Sequence, residues 1–263
     1  MDTPKGYVDP EYLRVVGEYL NHLKQRTYTC MQIETGHTVL DVGCGPGTDT
    51  IPLAQLVGST GQVNGVDYEE EMIAEAEKYA EKTGVSAWVK HKKANAISLP
   101  FESGYFDSCR SERLFQHLLN PAAALDEMAR VTKIDGWVVV LDTDWGSGGI
   151  DTSETDVERR LVRFNADRMF HNGYSGRQLY RLFKKQGLTD VFFEVFPVTV
   201  TSYVIARQMW TLDRVEREAL VEKIITEDEL HRLQTSLEQA DAEGVFFGYG
   251  SMTLVAGRKG DHL

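Results

Sequence analysis

Val39-Leu40-Asp41-Val42-Gly43-Cys44-Gly45-Pro46-Gly47-Thr48 decides the fold. An apolar run ends in three glycines at alternate positions, and the helix-compatible stretch Ile51 to Leu56 follows. This is the pattern of a buried parallel strand that turns sharply at its carboxyl end. Glycine admits positive φ and brings the backbone close to a ligand. Open α/β sheets bind their ligands in the crevice beyond the strand ends. Twenty residues after Gly47, Asp67 closes a second apolar run, Val63 to Val66. An acid at that offset is placed to accept hydrogen bonds from the hydroxyls of a ribose.

The loop reads G-x-G-x-G, with Asp41 two residues ahead of the first glycine, rather than the dinucleotide pattern G-x-G-x-x-G. A nicotinamide oxidoreductase would need the last glycine one residue later. The form resembles motif I of the class I S-adenosylmethionine (SAM) methyltransferases, D-x-G-x-G-x-G. The resemblance implies that Asp41, Gly43, Gly45, Gly47 and Thr48 surround SAM as cofactor, with Asp67 and Tyr68 at its ribose. Met72 falls one turn into the next helix, where a flexible thioether suits an adenine face. Asn95-Ala96-Ile97-Ser98-Leu99-Pro100-Phe101 resembles the family's D-A-x-x-L-P-F segment, with Asn95 replacing the acid. An amide still offers an acceptor and a donor to adenine. Phe106-Asp107 matches the family's next strand.

Arg110-Ser111-Glu112-Arg113-Leu114-Phe115-Gln116-His117-Leu118 resembles small-molecule methyltransferases of the ubiquinone-biosynthesis and natural-product kind. That resemblance implies a methionine carboxylate held by Arg110 and Arg113, and an acceptor oriented or deprotonated by His117. Each of the three also has a surface or helix-packing reading. The N-P-P-[YFW] motif of amino-methylating relatives is absent here, because Asn120-Pro121 comes late and is followed by Ala122.

Charge points the same way. The chain has 263 residues, 42% of them hydrophobic, and a net charge of −12. Binding nucleic acid requires clustered Lys and Arg, so a nucleic-acid partner is not expected. Lys90-His91-Lys92-Lys93 reads as a solvated strand edge. Cys30, Cys44 and Cys109 have no metal spacing and form no even disulfide set, so no metal is expected. No signal peptide and no apolar run near 18 residues is present, which suits a soluble protein of the cytoplasm. A homo-oligomer is compatible with this composition.

The fold class expected is α/β: a Rossmann-like, seven-stranded, mostly parallel sheet with helices on both faces. Residues 1–35 form an amino-terminal helical cap, starting at Asp9-Pro10 and running through about Gln25 on Tyr12, Val16, Tyr19, Leu20 and Leu23. It either packs on the core or closes over the substrate through Tyr7, Tyr12 or Tyr19. Residues 36–200 form the core, 201–244 a helical lid, and 245–263 the last strand and tail. Within the core, Trp137 to Leu141 is a strand ending in Asp142-Thr143-Asp144-Trp145, and Gly146 to Gly149 is a flexible joint. Ser153 caps a helix through about His171. Ser175 to Gln178 is a capping box for a helix closed by Gly187, and Thr226 to Glu229 is another.

The function expected is methyl transfer to a small molecule by in-line displacement, where positioning alone supplies ~7–11 kcal/mol. A hydroxyl or carbon acceptor also needs a base, for which His117, Asp144 and His171 are candidates in that order. Trp145 and Phe170, with Tyr174 and Trp210, offer walls for an aromatic, secondary-metabolite or quinone-like substrate. The alternatives are a SAM-binding protein without transfer, such as a cyclase or regulatory subunit, and a protein or nucleic-acid methylase.

Overall fold

The computed structural model describes residues 16–17 and 19–261. The helix start expected at Asp9-Pro10, and Tyr7 and Tyr12, therefore lie outside the described residues. Seven strands form one sheet: β1 (Thr38–Val42), β2 (Gln62–Asp67), β3 (Val89–Lys93), β4 (Phe106–Glu112), β5 (Thr132–Ile150), β6 (Thr189–Val200) and β7 (Gly248–Arg258). Their order is β3-β2-β1-β4-β5-β7-β6. The first five pair in parallel, and β7 runs antiparallel between β5 and β6. Strand order reverses between β1 and β4, and the glycine loop leaves β1 at that switch point, where this architecture binds ligands.

β1 reads as a continuous apolar run because both its faces are covered. Val39 packs with Leu53, Val57 and Val63 in one core, whereas Leu40 and Val42 join Phe106, Leu125 and Met128 in the other. The helices on the two faces include α1 (Asn21–Cys30), α2 (Thr50–Val57), α3 (Glu70–Lys82), α4 (Pro121–Val131), α5 (Thr155–Phe164) and α6 (Ser175–Gln186). Helices α7 (Tyr203–Met209), α8 (Leu212–Val221) and α9 (Glu227–Ala242) occupy the connection from β6 to β7. None of the described helices is long and apolar enough to cross a membrane.

Three local expectations change. Gly146 to Gly149 is not a joint but part of β5, because β7 extends far enough to pair Asp144 with Ser251 and Gly149 with Tyr249 around a bulge. A Cβ on Gly149 would lie 2.8 Å from the Tyr249 ring, so only glycine lets the strands close there. The helix after Ser153 ends at Phe164 and continues as a wider π-type turn, Asn165–Met169. Ser175 does not cap α6; its hydroxyl donates to Asp142 Oδ1 at 2.7 Å. The Thr226/Glu229 capping box is present on α9, and Gly187 closes α6 in the left-handed region.

Candidate functional site

Gly43, Gly45 and Gly47 have φ of 76°, 51° and 80°. The N–H groups of Gly43 and Cys44 both donate to Val66 O, folding the loop back over the end of β2. Asp67 meets it there: Oδ2 accepts from Gly45 N at 2.9 Å and Oδ1 from Glu69 N at 3.0 Å. Burial pushes this carboxyl up, and the backbone N–H groups oppose the shift. Each carboxylate oxygen keeps a second lone pair for an incoming hydroxyl. A cleft opens here; Gly43, Gly45, Thr48, Asp67, Tyr68, Met72, Asn95 and Ala96 all line it. Gly47 does not line it but shapes the turn, since a Cβ there would stand 3.1 Å from Ala76 Cβ.

Beneath the cleft lies a buried ion cluster. Arg110 on β4 pairs across the sheet with Asp41 on β1. Its Nη1 lies 3.3 Å from Asp41 Oδ1 and 2.9 Å from Asp49 Oδ1, and its Nη2 2.8 Å from Glu112 Oε2. Lys24 of α1 reaches in from the opposite side, 2.5 Å from Asp49 and 3.1 Å from Glu112. Tyr28 donates to Asp49 and lies under the Arg110 guanidinium. Burial opposes ionisation of Asp49, but Arg110 and Lys24 hold its carboxyl well below the usual range. Asp41, reached by only one of those cations at hydrogen-bond distance, is pushed up by burial.

The structure places Arg110 beneath the cleft and not in its wall. Its guanidinium has no exposed surface, faces three acids and does not line the cleft. Lys24 does line the cleft, as does Arg113. Arg113 is held at φ 52°, an uncommon conformation for a non-glycine residue.

A second cavity lies between the sheet edge and helices α5, α8 and α9. Its wall is mostly apolar and includes Met169, Phe170, Trp210, Leu212 and Leu237. Trp145 stacks on Phe170 with centroids 4.7 Å apart. The acids at this wall are Asp144, Glu158 and Glu216. Asp144 Oδ2 is held by Arg177 Nε at 2.5 Å, while its buried Oδ1 has no hydrogen-bond partner among the described residues. Arg113 and His117 line both cavities.

The remaining expected residues fall as follows. Trp145, Phe170 and Trp210 line the second cavity, and His171 lines the cofactor cleft instead. Tyr19 lines neither; it is exposed, and its hydroxyl donates to Thr199 O at 2.7 Å, tying the amino-terminal segment to β6. Tyr174 also turns away, donating to Asp167 and packing on Arg177. Sequence reasoning missed Lys24, Asp49, Glu112 and Gln116. Glu112 and Gln116 sat within a quoted motif without a role of their own; Lys24 and Asp49 become visible when α1 and β4 are folded against the glycine loop.

A family model described as a methyltransferase domain matches residues 33–187. Among curated proteins, a 37.1 kDa protein in a Streptomyces fradiae transposon is 39% identical over 147 residues, 56% of this chain and 42% of that one. Demethylmenaquinone methyltransferase of Bacillus licheniformis is 35% identical over 141 residues, 53% of this chain and 60% of the enzyme. The chain thus spans about half the length of the curated relatives it matches. Among solved structures, the YcgJ protein of Bacillus subtilis superposes with a TM-score of 0.63 at 21% identity, covering 93% of this chain and 99% of that one. At that identity the likeness is one of fold.

Proposed function

Because the chain belongs to the class I SAM-dependent methyltransferases, we propose that it moves a methyl group from SAM to a small, largely apolar acceptor in the second cavity. The observation that carries this reading is that Arg113 and His117 wall both cavities, so cofactor and acceptor sites adjoin at these side chains. The residues at the first cleft fit SAM. Asp67 suits the ribose, Met72 and Asn95 the adenine, and the acid-rich floor with Lys24 a zwitterionic methionine end. Bound there, SAM supplies an electrophilic methyl carbon, so the protein needs no covalent nucleophile.

What the chain contributes is alignment and dryness. The stacked pair Trp145 and Phe170 gives a flat apolar wall for an aromatic or quinone-like acceptor, in keeping with the demethylmenaquinone methyltransferases among its relatives. Residues 201–244 act as a lid: Trp210, Leu212 and Leu237 cover the cavity and exclude water. Asp144, Glu158 and Glu216 are each paired with an arginine, and Arg113 and Arg214 line the cavity too, so the charges at this wall balance and a neutral acceptor suits it. Asp144, with one buried oxygen unpartnered, is the base for an acceptor that must lose a proton.

Isothermal titration with S-adenosylhomocysteine tests the cofactor assignment. Wild type is expected to bind in the micromolar range. Asp67→Ala is expected to lose ~100-fold, as befits a charged acceptor of two hydrogen bonds. Equal affinity in the two proteins would sink the assignment.

A further inference from the structure

We propose that Gln116 is a positioning residue that fixes His117 as the neutral tautomer protonated on Nδ1, with the Nε2 lone pair turned toward Gln116. The indole N–H of Trp145 can only donate. It donates to Gln116 Oε1 at 2.7 Å, which identifies that atom of the amide as oxygen. The other end is therefore nitrogen, and it lies 3.0 Å from Arg113 O and 3.1 Å from His117 Nε2. A carbonyl oxygen can only accept, which agrees. The amide has two N–H groups for these two neighbours, so His117 Nε2 must accept.

Flipping the amide would set oxygen against Arg113 O and nitrogen against the indole N–H, losing two matched bonds at once. Protonating Nε2 would set N–H against N–H. Gln116 is buried, so water does not restore either loss. Its backbone is pinned as well: the N–H donates to Asp142 Oδ2 at 3.3 Å and the carbonyl accepts from Asn172 N at 2.9 Å. Asp142 is anchored in turn by Ser175. The amide thus reads a donor on one side and transmits an acceptor requirement to the other.

The consequence concerns the methyl-transfer junction, and it rests on the function proposed above. In this tautomer Nε2 is engaged and Nδ1 carries the hydrogen, so His117 has no lone pair for a substrate proton. Proton acceptance therefore passes to Asp144. The tautomer itself does not depend on that function.

The test is two-bond nitrogen–proton correlation NMR on the full chain labelled with nitrogen-15 histidine, with the His117 signals identified by their loss in His117→Asn. Wild type is expected to show a protonated Nδ1 and a bare Nε2 at neutral pH. Gln116→Glu places a carboxylate oxygen opposite Nε2 and is expected to bring a proton onto that nitrogen. Trp145→Phe keeps a ring against Phe170 and removes the indole donor; Arg113 O still requires the amide N–H on the His117 side, so this variant is expected to keep Nδ1 protonated. A wild-type Nε2 that carries hydrogen overturns the proposal even if neither variant folds. So does a pattern that a folded Gln116→Glu leaves unchanged. Titration of the same sample with S-adenosylhomocysteine separates the two readings: failure to bind refutes the cofactor assignment and leaves the tautomer result standing.

Discussion

Arg110 Nη1 lies 2.9 Å from Asp49 Oδ1, and no part of the Arg110 side chain is exposed. The same guanidinium serves Asp41 and Glu112, so one cation joins β1, β4 and the glycine loop. Removing one partner of a buried ion pair strands the others and costs ~3–5 kcal/mol. Arg110→Met is therefore expected to lose about that much in urea unfolding. Arg110→Lys is expected to recover little, because a point charge does not reproduce a planar fork shared by three carboxylates. A loss below about 1 kcal/mol in Arg110→Met would show that the cluster relaxes around the gap.

His91 supplies a pH dependence. Its ring is buried, and Nε2 lies 2.9 Å from Thr50 Oγ1. Burial pushes its pKa down from 6.5 to about 4. A depressed folded pKa means that the contribution to stability is fully present above 6.5 and is lost as pH falls through 4. At about 1.4 kcal/mol per unit, this one residue removes roughly 3 kcal/mol across that window. Asp142, pushed up to about 6 by burial, has the opposite sign: its contribution is present below 3.8 and is lost as pH rises through 6. The difference between wild type and His91→Gln isolates the histidine. It is expected to shrink from pH 7 to pH 4.5 in equilibrium unfolding, and a difference independent of pH would refute the buried neutral imidazole.

Gly47 separates backbone strain from cofactor binding. At φ 80°, alanine pays ~1–2 kcal/mol for the left-handed region. Its Cβ also stands 3.2 Å from the Ala76 Cα on α3, so the loop must shift. Gly84 has φ 75° with nothing within 4 Å of an added Cβ, and it touches neither cavity. Both Gly47→Ala and Gly84→Ala are expected to lower thermal stability. Only Gly47→Ala is expected to weaken S-adenosylhomocysteine binding, by tenfold or more. Equal binding by the two variants would mean that the loop tolerates displacement.

These outcomes mirror what the sequence exposes. The glycine loop, Asp67, Met72 and Asn95 each follow a strand by a fixed short offset, so local spacing alone brings them to one sheet edge. Arg110 does not yield to such reading. Its partner Asp41 is set by the register of β1 against β4, and Asp49 and Lys24 arrive from separate helical regions. The length of β5 depends likewise on β7, which begins at Gly248. Tyr19 shares a helical periodicity with buried Val16 and Leu23, yet its hydroxyl is taken by the edge strand β6. Periodicity marks which face of a helix is apolar but not what lies opposite it.

Asp144 is the last residue whose role the geometry brings to a test. It is 6% exposed, and Arg177 holds one oxygen while the other has no hydrogen-bond partner among the described residues. A buried polar atom without a partner costs ~1–3 kcal/mol, a cost that makes sense where an acceptor hydroxyl supplies the missing donor. Asp144→Asn keeps the shape and removes the basic oxygen. With a hydroquinone acceptor and radiolabelled SAM, single-turnover methyl transfer is expected to fall ~10²–10⁴-fold, the usual contribution of a positioned base. Affinity for S-adenosylhomocysteine should not change, because Asp144 lines only the second cavity. Transfer at the wild-type rate would return the proton-accepting role to another group, and a matched loss of cofactor affinity would mean that the substitution disturbs the fold rather than the chemistry.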